Sequence, residues 1–168
     1  SAPDYETKSS YSATVTSTDG TNSTSQNIVV DVTNINEKPV ITSSSQFNAE
    51  ENQIEIGFIT ATDETGSLIY ELAGTDAISL VINNVTGKME FKSPPDYETK
   101  TNYSAIARVY DEEFFVQKGF QIFITNLDDT APVFTSNSSF SAAENQTAIG
   151  TVTATDVDTD NGLITFEV

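Results

Sequence analysis

The chain has 168 residues with no cysteine and no histidine, and its 25 acidic side chains against 7 basic ones give a net charge of −18. This composition excludes disulfides, thiolate or imidazole metal sites and serine–histidine catalysis, and it offers no basic footprint for nucleic acid or an anionic membrane surface. What remains in quantity is hard oxygen from carboxylates, Asn side chains and backbone carbonyls, the ligand type that suits calcium.

Ten Phe and six Tyr, beside frequent Val, Ile and Thr, favour strands. In chain order, "PDYETK" at 3–8 leads into a segment where Tyr11 and Ala13 alternate, and "TNINEKP" closes at Pro39. Seven strands are then predicted at 40–47, 54–62, 68–72, 78–82, 88–92, 102–110 and 116–126. Period-two alternation of Tyr103, Ala105, Ala107 and Val109, and of Phe120, Ile122 and Ile124, marks strands with one face on a core. "NNVTGK" at 83–88 reads as a hairpin turn in which Gly87 takes positive φ. "PDYETK" returns at 95–100, and "AEENQ" and "IGFITATD" of this segment return as "AAENQ" at 142–146 and "IGTVTATD" at 149–156. The offsets, 92 and 93 residues, define one unit of domain size. The chain is therefore divided into the back end of a unit (1–38), a complete unit (39–131) and the front end of a third (132–168), a stretch cut from a longer array. The predicted fold is all-β: tandem Ig-like Greek-key β-sandwiches with seven strands per repeat.

On that strand map Glu51, Asp96, Glu98, Asp128 and Asp129 fall at one end of the complete unit, and Asp63 and Asp111 at the other. The next unit begins two or three residues after Asp129, so carboxylates of neighbouring units face each other across a short linker.

The set "xEN", "DYE", "NLDDTAP" and "ATDVDTDNG" resembles the calcium-binding motifs of cadherin repeats, in particular the bacterial cadherin-like domains of large surface proteins, over essentially the whole chain. The resemblance implies two inter-repeat calcium sites. One takes Glu51, Asp96 and Glu98, linker Asp128 and Asp129 with the Thr130 carbonyl, and Asp156, Asp158 and the Asn161 carbonyl. The other takes Asp4, Glu6, Asn34, Asn36, Asp63 and Asp111. This other site departs from the pattern: Asn36 replaces the linker Asp, Thr65 replaces the second Asp of the pair, Glu64 is expected to point away, and Glu37 is left open as a substitute. It is expected to hold fewer or weaker ions. Physically, some eight carboxylates converging on one junction repel, and an ion accepting six to eight oxygens bridges both units and stiffens the joint. The resemblance further implies an extracellular or cell-surface location, a membrane-anchored parent, homophilic or other adhesion, and neighbouring repeats, proteins or surface polysaccharide as partners.

Other readings weigh less. "DVDTDNG" lacks the sixth-place Gly of an EF-hand loop and runs into the strand-like "LITFEV". Asp76, Glu112 and Glu113 read as solvated charge. Tyr97 reads as a packing residue, and the five Asn-x-Ser/Thr sequons as chance. Paired carboxylates serve glycoside hydrolysis, but these recur at domain ends, so no enzyme is expected. A carbohydrate-binding sandwich is the alternative function, weakened by the absence of Trp. The flanking pieces together lack a counterpart of 74–92, which would let ordered termini complete one another between molecules, head to tail.

Overall fold

A computed structural model describes residues 2–64, 66–159 and 163–168; Thr65 and Asn161, both weighed above, lie outside them. The elements in order are β1 (Ser10–Thr18), β2 (Ser23–Asp31), β3 (Val40–Ile41), β4 (Gln46–Glu50), β5 (Glu55–Phe58), β6 (Ala61–Thr62), β7 (Ile69–Ala73), a 3-10 turn (Thr75–Ser79), β8 (Leu80–Ile82), β9 (Lys88–Phe91), β10 (Asn102–Tyr110), β11 (Phe115–Thr125), β12 (Val133–Phe134) and β13 (Ala154–Thr155).

The centre is a two-sheet Ig-like β-sandwich. One sheet has the order β4-β11-β10-β7 and the other β5-β9-β8. β4 runs parallel to β11, with Gln46 opposite Gln121 through to Glu50 opposite Thr125, while β10 pairs antiparallel with both β11 and β7. The predicted alternation supplies the core. Ala105, Ala107, Val109, Phe120, Ile122 and Ile124 bury against Ile56, Leu80, Met89 and Phe91 of the opposing sheet. Met89, Val109 and Ile122 are 0% exposed.

Two predicted strands are broken. Residues 40–47 divide into β3, which pairs with β6, and β4, which joins the other sheet. The switch occurs at Ser44, whose hydroxyl accepts the Gln46 N–H at 3.0 Å and bends the chain. Residues 54–62 divide after Phe58, where the Ile59 N–H turns to the Gly87 carbonyl and the Thr60 carbonyl to the N–H groups of Thr42 and Ser43; the register shift between Glu55 and Gly57 lies within β5. The fourth strand begins at Leu80 rather than at 78, because Thr75–Ser79 coil into the 3-10 turn.

The flanking segments repeat the centre in their hydrogen bonds. β1 and β2 form a hairpin with Tyr11 opposite Val30 and Ala13 opposite Ile28, as Tyr103 stands opposite Ile122 and Ala105 opposite Phe120. β12 pairs with β13 as β3 does with β6. Thr135 and Ser136 donate to the Thr153 carbonyl at 2.8 and 3.2 Å, as Thr42 and Ser43 donate to that of Thr60 at 2.8 and 3.2 Å.

The 83–88 turn forms as predicted. The Asn83 side chain accepts the N–H groups of Val85 and Thr86, and Gly87 has φ +70°. A Cβ on Gly87 would lie 2.2 Å from the Ile59 carbonyl oxygen, and Ile59 N–H donates to Gly87 O at 2.9 Å. Gly87→Ala therefore meets a left-handed φ and a backbone clash together. We expect it to lower stability by about 2–3 kcal/mol in urea unfolding.

Candidate metal centre

Glu51 organises the acidic end. It follows β4 and is 1% exposed, and the next residue, Asn52, adopts φ +62°, a left-handed conformation Asn tolerates. Its Oε2 accepts the Tyr97 N–H at 2.8 Å and its Oε1 the Leu127 N–H at 2.7 Å. A single carboxylate thus joins the turn after β4, the loop before β10 and the exit from β11. Asn145, in the returning "AAENQ", repeats the conformation at φ +64°.

The two "PDYETK" copies fold alike. Asp96 accepts Thr99 N–H and Thr99 Oγ1–H, both at 2.9 Å, while Lys100 N–H closes the turn on Asp96 O at 2.9 Å. In the first copy Asp4 accepts Thr7 N–H and Oγ1–H at 3.2 and 3.0 Å, and Lys8 N–H reaches Asp4 O at 2.9 Å. The Thr7 N–H holds Asp4 below the usual carboxylate range. Tyr97 packs against the core, as expected. Lys100 lies 4.5 Å above the Tyr103 ring, as Lys8 does above Tyr11. Lys100 also pairs with Asp76 at 2.5 Å, and Asp76 accepts the Ser104 N–H at 2.8 Å. Asp76 is therefore a structural anchor, not solvated charge, and these contacts lower its pKa, the Lys100 bond foremost. Within the hexapeptide, Asp, Tyr, Thr and Lys all have work in the fold.

Two carboxylate groups result at this end. Glu51, Asp96 and Glu98 bring oxygens within 4.8 Å of one another, and so do Asp128, Asp156 and Asp158. Asp129 and Thr130 join them: both N–H groups donate to Asp158 Oδ2, at 2.8 and 2.7 Å, and Asp129 accepts from the Asn52 side chain. A cleft of ≈ 180 Å³ is lined by Glu51, Asn52, Asp96, Glu98, Asp129, Thr130 and Val157. Loss of hydration, opposed by its own N–H and reinforced by the charges of Glu51, Asp158 and Asp96, raises the pKa of Glu98. Asp158 is held at about 2, first by a hydrogen bond shared with Asp156 and then, against partial desolvation, by the Asp129 and Thr130 N–H groups.

At the opposite end Asp63 and Asp111 line one cleft, and Asp111 accepts the N–H groups of Glu113 and Phe114. The compact acidic group there is Glu6, Glu37 and Glu64. Glu64 does not point away: its Oε1 accepts the Glu37 N–H at 3.1 Å. The bond with the Glu37 side chain, followed by desolvation, raises the pKa of Glu64. Of the residues expected here, Glu6 belongs to this group, Asp4 is occupied by its own turn, and Asn34 is exposed.

Buried oxygens without a donor mark both ends. Among the described residues six buried side-chain polar atoms lack a hydrogen-bond partner, and four are acceptor oxygens at these places: Asn126 Oδ1, Asp158 Oδ1, Asn36 Oδ1 and Asp111 Oδ2. Asn126 was missed in the sequence. Its Nδ2 donates to the Asp158 carbonyl at 3.0 Å, and its match to Asn34 across the 92-residue offset was the available signal.

No family model matches the sequence. It is 29% identical over 95% of its length to protocadherin Fat 1 of Homo sapiens, and 30% identical over 95% to the Fat-like cadherin-related tumor suppressor homolog of Drosophila melanogaster. It spans 4% of the length of each of these relatives. The solved structure of the protocadherin gammaB7 EC3-6 cis-dimer superposes with a TM-score of 0.78 at 20% identity, covering 95% of this chain and 45% of that one. The sandwich and its repeated elements are those of cadherin-like domains. The chain is cadherin-like along nearly its whole length.

Glu51 and Asp128 should separate structural from repulsive carboxylates. In chelator, we expect Glu51→Ala to cost about 2 kcal/mol, because two backbone N–H groups lose their acceptor. Asp128→Asn should raise stability slightly by relieving repulsion. Urea unfolding of both variants reads the difference.

Proposed function

We propose that Glu51, Asp96, Glu98, Asp128, Asp129, Asp156 and Asp158 hold calcium, with Asn126 as a further oxygen donor, and that the ions stiffen the joint between consecutive repeats, 39–131 and 132–168. The observation that carries this reading is the convergence of two carboxylate triads around buried oxygens that have no proton donor. Calcium is recognised by such oxygen-only sets and tolerates the irregular geometry of side chains from several segments. Cancelling the repulsion of seven clustered carboxylates would favour one relative orientation of the segments that carry them.

The joint between 1–38 and 39–131 is proposed to bind more weakly, through Glu6, Glu37, Glu64, Asn36 and Asp111. There one triad replaces two. The chain works outside the cell or at its surface as an adhesion-type repeat array, with neighbouring repeats as its immediate partners and no catalytic step.

Calcium titration by calorimetry, with small-angle scattering in calcium and in chelator, tests the proposal. We expect saturable binding with dissociation constants of about 10⁻⁴–10⁻³ M, a longer and stiffer particle in calcium, and loss of the tighter component in Asp158→Asn. Because the pKa of Glu98 is raised, affinity should begin to fall, on acidification, at a higher pH than an ordinary glutamate would dictate. No binding would reduce the acids to surface charge, and binding with no change in particle shape would overturn the stiffening role.

A further inference from the structure

Gly119 has no structural need to be glycine. It lies inside β11, the second strand of the four-stranded sheet, where glycine weakens pairing. Its φ lies outside the left-handed range, and a Cβ built on it would meet nothing within 4 Å. The matching position in β2 is Asn27. The empty space is the floor of a trough of ≈ 470 Å³ on the outer face of the sheet, lined by Ser45, Gln46, Thr75, Ser104, Gln121 and their neighbours, a volume in the range of small-ligand sites.

The strand residues of this face carry no charged side chain across three successive rows, and the charge beside the middle row, Asp76 on the Ser104 N–H, is neutralised by its pair with Lys100. Ala73, Ile106 and Gly119 form one. Gln46, Gln121 and Ser104 form the next, and Asn48, Phe123 and Asn102 the third. Along the strands, charged side chains resume beyond these rows, at Glu71 and Arg108 on one side and Glu50 on the other. In a chain of net charge −18, such a band suits an uncharged partner, and a polyanion would be repelled. The side-chain amides of Gln46, Gln121, Asn48 and Asn102 have no hydrogen-bond partner among the described residues, so each offers both a donor and an acceptor outward. Phe123, 37% exposed, adds an aromatic surface between two of them.

A trough of neutral amides and hydroxyls beside an exposed ring matches the alternating hydroxyl and C–H surfaces of a sugar. We propose that the outer face of the four-stranded sheet, centred on the Gly119 trough, binds an uncharged glycan chain. This goes beyond the calcium reading and is independent of it, since no residue of the trough belongs to either acidic end.

The test is an NMR titration of the ¹⁵N-labelled chain with cellohexaose, laminarihexaose and mannohexaose, with oligogalacturonate as the anionic control. We expect saturable shifts on β4, β10 and β11 with at least one neutral hexaose, unchanged by chelator and absent with oligogalacturonate. Phe123→Ala or Gln121→Ala should weaken binding about tenfold. Gly119→Gln fills the trough from a position with room for a side chain and should abolish binding in a folded protein. The proposal is overturned if no neutral hexaose shifts this face, or if the shifts survive Gly119→Gln. It is also overturned if Gly119→Gln removes self-association in sedimentation while glycan binding is absent, which would make the face a contact between two copies.

Discussion

The structure depends on one buried carboxyl group. Glu51 sits within the fold at 1% exposure, and the N–H groups of Tyr97 and Leu127 receive its two oxygens. A carboxylate withdrawn from water is tolerated only where such donors replace its hydration. Satisfying it fixes the loop that carries Asp96 and Glu98 and the chain exit that carries Asp128 and Asp129. The other acids gather where that bond places the backbone. The crowding is thus imposed from inside the sandwich, and the raised pKa of Glu98 is one of its results.

Much of the fold was legible because its signals are local. Alternation in β10 and β11 gave the core face directly, and Gly87 marked its hairpin. The breaks in residues 40–47 and 54–62 were not legible, since a strand that changes partners keeps its strand composition and is divided by a serine hydroxyl in one case and by new backbone bonds at Ile59 and Thr60 in the other. The candidate site divides in the same way. The acids around Glu51 followed from their recurrence with the repeat. Glu37 and Glu64 did not, because alternation was extended past the end of β6 into a segment that is no longer strand. Asp76 was misread because its partner, Lys100, is 24 residues away, and a single sequence gives no hint of that pairing.

The repeated hexapeptide shows why recurrence alone is ambiguous evidence for a ligand. Asp96 and Asp4 have their oxygens engaged by a Thr three residues on, and Lys100 and Lys8 lie over the Tyr three residues after them. Turn closure would preserve most of "PDYETK" with no ion at all. Only the Glu side chain, which is not among the groups that close the turn, separates the metal reading from the structural one.

The parallel pairing of β4 with β11 has a mechanical consequence. These strands lie near the entry and exit of the central sandwich and run side by side in the same direction. Tension applied through the two ends pulls them along their length in opposite senses, so the rungs of the ladder are loaded together in shear, not opened one after another like a zip. Glu51 adds a further tie where the ladder ends, between the residue after β4 and the chain leaving β11. A tether built of such units would resist stretching by sharing the load across a whole strand pair.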